Sequence, residues 1–175
     1  MNRILKIAGP LCLLIWISAC SSSGSIQIVQ PKTTTIPPGS TVSLSVTTVL
    51  PEDADKDARE DASEVTDRLK SQLFGRLMSE AVFKLVLQPG ERADYRMDVR
   101  VLNAEEVSQG ARIFLGVLAG SNKLTVSVSL YDQPADNLIT SFEAGGESAS
   151  HPMSSENDID DAIREAVDEI ILALR

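Results

Sequence analysis

Five carboxylates, Asp53, Asp55, Asp57, Asp61 and Glu64, stand at the spacing of positions 1, 3, 5, 9 and 12 of a calcium-binding EF-hand loop. Such a loop turns sharply at its sixth position, where glycine is needed, and here that position is Ala58. Glu60 also stands where those loops carry an apolar residue. The acids therefore read as the start of a helix, where the macrodipole and free amides favour negative charge. His151 is the only histidine in the chain. Ser148 and Ser150 precede it, and Asp158 and Asp160 follow, so the three residue types of a Ser-His-Asp triad are close in sequence. The segment Gly145-Gly-Glu-Ser-Ala-Ser150 lacks the G-x-S-x-G elbow, however, and Pro152 marks a loop. A lone histidine with carboxylates alone is also an unusual ligand set for zinc. Gly110, Gly116 and Gly120 have no G-K-[ST] after them, which removes a phosphate-binding loop. What remains between those glycines is a small apolar segment containing Ile113, Phe114, Leu115, Val117 and Leu118. It either covers one end of a core or presents a contact surface.

The elements that must position these residues follow from periodicity. Leu44, Val46, Thr48 and Leu50 alternate with Ser43, Ser45, Thr47 and Val49, which predicts a strand with one buried face. Tyr95 to Val101 and Leu124 to Leu130 alternate in the same way, and Leu138 to Phe142 returns after the turn Asp132–Asn137. Val82 to Leu87 is a compact apolar run stopped by Pro89-Gly90 and reads as a buried strand. Ala58, Ala62, Val65, Leu69, Leu73 and Leu77 recur every three or four residues and predict a helix with one apolar stripe. Ile159, Ala162, Ile163, Ala166, Val167, Ile170, Ile171 and Leu174 predict a second, with Ser155 as a capping signal. Two helices with one apolar face each cover one side of a sheet. The expected fold is α+β, a two-layer sandwich with a mostly antiparallel sheet of about five strands and two helices on one face. Its last four strands are expected to form a meander.

The first 19 residues read as a secretory signal. Arg3 and Lys6 precede the apolar stretch Ile7 to Ala19, which is shorter than the roughly 20 residues a bilayer span needs. Ile17-Ser-Ala-Cys20 resembles a bacterial lipobox, which implies cleavage between Ala19 and Cys20, lipidation of Cys20, and, with Ser21 next, an outer-membrane address facing the periplasm. Residues 20–40, rich in Ser, Thr and Pro, are expected to be a tether, with a short edge strand at Ile26, Ile28 and Val29 as the alternative. Residues 41–175 are expected to be the periplasmic domain. Removal of residues 1–19 takes away Arg3, Lys6 and Cys12 and leaves 14 basic against 25 acidic residues, a net of −11. That balance opposes nucleic-acid binding, which needs a basic face. With Cys20 acylated, no thiol is left for a disulfide, a metal or a nucleophile.

Tyr95-Arg-Met-Asp-Val99, Gly110-Ala-Arg112, Leu115-Gly116, Ala119-Gly120-Ser121, Leu124 to Leu130 and Asp132 together resemble a family of small bacterial envelope lipoproteins known as a domain of unknown function. That family usually carries a glycine in the turn after its aspartate, whereas Asp132-Gln-Pro-Ala-Asp-Asn137 has none. The resemblance implies an envelope lipoprotein with an α/β sandwich domain and brings no catalytic set. The function expected is a non-enzymatic binding or assembly module that needs no cofactor. It would be held to the membrane by lipid on Cys20, with a protein partner or a second copy as its ligand. The alternatives are a periplasmic hydrolase using Ser148 or Ser150 with His151, and a carrier of lipid or another amphiphile.

Overall fold

The structure is a computed structural model that describes residues 22–49, 56–105, 121–133, 135–148 and 158–175. Eight elements follow one another: β1 (Ser23–Gln30), β2 (Thr41–Thr48), α1 (Lys56–Ser79), β3 (Leu85–Leu87), β4 (Tyr95–Glu105), β5 (Lys123–Asp132), β6 (Leu138–Glu147) and α2 (Asp158–Leu174). The six strands form one mixed sheet in the order β1-β6-β5-β4-β2-β3. β1, β6, β5 and β4 pair antiparallel, while β2 runs parallel to both β4 and β3.

Period-2 alternation decides which face is buried. Leu124, Val126, Val128 and Leu130 of β5, with Met97, Val99 and Val101 of β4, point to the helices and are fully buried. Phe142 and Ala144 of β6 continue that layer. α1 presents Leu69, Leu73 and Leu77 to β2, β3 and β4, and α2 presents all eight residues of its predicted stripe to β1, β5 and β6. The α+β two-layer fold expected from the sequence is the fold observed.

Three expectations are corrected. Residues 20–40 are not a tether throughout, because Ser23–Gln30 forms β1, paired with β6 from Ser23↔Glu147 to Gln30↔Ser141. The alternation of Gly24, Ile26 and Ile28 with Ser25 and Gln27 matches the pleat, and the ladder to β6 satisfies one side of the strand's backbone. The domain therefore starts at about Ser22, not Thr41. The apolar run Val82 to Leu87 yields only a three-residue strand, since Ala81 takes a positive φ of 51° and Phe83 instead fills the core beside Tyr95, their rings 6.2 Å apart. Finally, the meander comprises β4, β5 and β6 alone. β3 lies on the far side of β2, reached through α1 as a parallel β-α-β crossover.

The short connection from β3 to β4 passes the start of β2 and is tied to it there. The Asp94 carboxylate accepts from both the backbone N–H and the hydroxyl of Thr41, each at 2.8 Å, and the Asp94 N–H donates back to Thr41 Oγ1 at 3.0 Å. In the β5–β6 turn, which carries no glycine, a left-handed position is filled by Asp136, φ 55°. Aspartate tolerates that region because its short side chain bonds locally. Here Asp132 Oδ1 accepts the Asn137 N–H at 2.8 Å, and Asp136 pairs with Arg96 at 2.7 Å.

Candidate functional site

Two surfaces of this sheet are built from polar or unpaired groups rather than packed ones. The first is the end at which β1 begins. Ser23, Glu147, Lys123 and Glu105 occupy one row across four strands. Beside them Ser148 and Asn122 close the β5–β6 ladder. The Ser148 N–H donates to Asn122 O and the Asn122 N–H to Ser148 Oγ, both at 3.0 Å. Ser121 donates its hydroxyl to Glu147, and Lys123 lies 3.8 Å from the same carboxylate. Ser121, Asn122 and Ser148 are buried, so this end is a closed polar cluster. Residues 106–120 connect Glu105 to Ser121 and so leave and rejoin the fold at this end.

The second is the face opposite the helices, where small hydroxyls alternate with charges. Gln27, Glu143, Ser127, Arg100 and Thr47 form one row, and Ser141, Ser129, Asp98 and Ser45 the next. Arg96 stacks over the Tyr131 ring at 4.4 Å and pairs with Asp98 at 3.1 Å. Burial alone would lower the Arg96 pKa, but Asp98 and Asp136 outweigh it and raise it. This face can hold polar partners by hydrogen bonds.

The predicted site residues fare unequally. Ser148 is buried and its hydroxyl is committed to Asn122, which makes it a ladder-closing group within the described structure. Ala19, Cys20, Ile113, Phe114, Leu115, Val117, Leu118, Ser150 and His151 lie outside the described residues, as do Asp53 and Asp55. Among the acids of the EF-hand-like spacing, Glu64 pairs with Arg68 in the next turn of α1. No group of three or more His, Cys, Asp or Glu that could hold a metal occurs among the described residues. A cleft of about 220 Å³ opens where α2 ends, lined in part by Lys32, Ile36, Glu80 and Arg175. Its charges are engaged: Lys32 donates to Leu174 O at 3.1 Å and Arg175 pairs with Glu80. Among the described residues no helix is long and apolar enough to cross a membrane.

The alternative reading of Ile26, Ile28 and Val29 as a short edge strand is the one that forms, as part of β1. Leu172 carried no signal in the sequence pattern: it lies off the buried stripe of α2 and is exposed.

Fold and face together define a two-layer α+β domain with a mixed six-stranded sheet, one side of which carries no helix among the described residues. The chain belongs to the family described as Domain of unknown function (DUF4410), whose model matches residues 25–152. A comparison with curated proteins finds no match. Among solved structures, the PelC dodecamer from Paraburkholderia phytofirmans is similar in fold, with a TM-score of 0.51 and 11% identity over 86% of this chain and 98% of that one. Protein XCC0632 from Xanthomonas campestris, of family DUF330, gives a TM-score of 0.47 at 10% identity, covering 89% and 93% of the two chains. A Caulobacter crescentus protein described as a "putative lipoprotein" gives 0.35 at 20% identity, covering 74% and 86%.

Proposed function

We propose that this chain is an outer-membrane lipoprotein whose periplasmic domain is a non-enzymatic binding or assembly module. One observation carries the reading: the sheet begins at Ser23, three residues after Cys20, at the end where residues 106–120 depart and return. With lipid on Cys20, an extended link of that length reaches only about 10 Å. The domain then sits close to the membrane on a short leash, and Ile113, Phe114, Leu115, Val117 and Leu118 are the contact residues of this reading. The acidic surface gives no attraction to anionic headgroups, so the acyl chains supply the attachment, each buried methylene contributing about 0.8 kcal/mol. Assembly with further copies is supported by the PelC dodecamer, a protein of the same fold.

The test is acylation. Cells labelled with a palmitate analogue should show label on the wild-type chain in the outer-membrane fraction. Cys20→Ala should lose the label and leave that fraction. Label retained by Cys20→Ala, or a wild-type chain found wholly soluble, would refute the anchor. Within that reading, Leu115→Asp should abolish partner contact, with the chain still in the outer-membrane fraction, while the thermal melt of the domain stays within a few degrees of wild type.

A further inference from the structure

The two edges of the sheet differ. β3 offers only Leu85–Leu87, between Lys84 and Pro89-Gly90, which keeps that edge short and guarded. β1 offers eight residues, SGSIQIVQ, with no charge and no proline, and its register shifts only between Ile28 and Gln30. No strand among the described residues lies on its outer side. Ile26, Ile28 and Val29 are 39%, 50% and 64% exposed along this edge, and Leu172 of the adjoining α2 is 66% exposed.

α2 runs alongside β1 in the same direction. Ser22 Oγ donates to Glu165 at 2.6 Å, Gly24 lies under the Glu169 side chain, and Lys32 reaches the Leu174 carbonyl. The edge is therefore acidic where β1 starts, apolar in the middle and basic just beyond its end.

We infer that a second copy of this chain adds to the sheet here, β1 against β1, antiparallel about a twofold axis near Gln27. The inference rests on the assembly reading above and names its surface. Two copies of a chain with a net of −9, or −11 once residues 1–19 are removed, repel over most approaches, and an uncharged strand is where they can meet. Antiparallel pairing also sets Lys32 of one copy beside Glu165 and Glu169 of the other. The pattern is complementary to itself, as a twofold contact requires. Ile26, Ile28 and Leu172 of the two copies then cover one another, and the ladder satisfies the outer N–H and C=O groups of both strands. The two Cys20 positions fall at opposite ends of the paired strands, so an anchored pair lies with its sheet along the bilayer.

Single cysteines placed at Ser25, Ile26, Gln27 and Ile28 of the full-length chain test this in membranes, because acylated Cys20 leaves no competing thiol. Mild oxidation should give a band of twice the chain mass from at least one of the four. Leu85→Cys on the opposite edge should give none. Adding Ile26→Lys and Ile28→Lys to Gln27→Cys should cut the doubled band at least tenfold with an unchanged melting temperature, since both isoleucines are partly exposed. No doubled band from any of the four positions overturns the inference, as does equal cross-linking at Leu85→Cys or a band that survives the lysines. The same membranes are fractionated. A chain in the outer membrane that fails to cross-link refutes the pairing alone, and a soluble chain refutes the anchor.

Discussion

Asp94 joins two strands through one carboxylate, and the consequence is a defined pH dependence. The backbone N–H of Thr41, and then its hydroxyl, stabilise the ionised form and hold the Asp94 pKa below its ordinary value. A carboxyl with a depressed folded pKa contributes stability above its unfolded pKa, near 3.9 for aspartate, and loses it as pH falls through the folded value. Urea midpoints of wild type and Asp94→Asn should therefore differ most above about pH 5 and converge as pH falls below 3. A constant difference across that range would place the effect elsewhere. Ser148 makes the second residue-scale case. Ser148→Ala removes the acceptor of a buried N–H, and a loss of about 1–3 kcal/mol in denaturant unfolding is expected. Sequence alone marked Ser148 for its hydroxyl and its closeness to His151. Its real partner, Asn122, lies across a ladder whose register a linear reading does not contain.

The elements were legible to unequal degrees, for physical reasons. Every residue of the α2 stripe is buried as its 3.6-residue period predicts. The alternating faces of β4 and β5 are likewise as the pattern requires, whereas β6 buries both Ile139 and Thr140 beside a register shift before its alternation sets in. β1 was legible only as the alternative to a tether, since serine and glycine dominate its first half and an edge strand needs only two apolar residues to face the helix layer. The place of β3 was hidden because the pairing of non-consecutive strands is set by the crossover helix α1, and a sequence period does not encode it. How α2 docks was also unreadable. It lies directly on Gly146, where an added Cβ would collide with the Ala162 carbonyl and the Ala166 amide. Gly146→Val should cost about 1–3 kcal/mol, as overpacked cores do, because backbone must move. Retention of wild-type stability by this variant would refute the close approach. The bridge from Arg76 of α1 to Asp168 of α2 is half exposed. Arg76→Met should accordingly change stability by no more than about 1 kcal/mol in the same assay.

On the scale of the whole molecule, an acidic domain is joined within three residues to its proposed anchor. It presents one sheet face lined with hydroxyls and charges, and one edge strand, β1, that carries no charge of its own. Those features fit the binding and assembly role proposed for the domain. Attachment, orientation and self-pairing all follow from where β1 begins and what lies along it. Native mass spectrometry of the protein extracted gently from its own membrane tests that account most directly. The account predicts a particle of two or more chains, each beginning at an acylated Cys20. A single chain without acyl groups would contradict it.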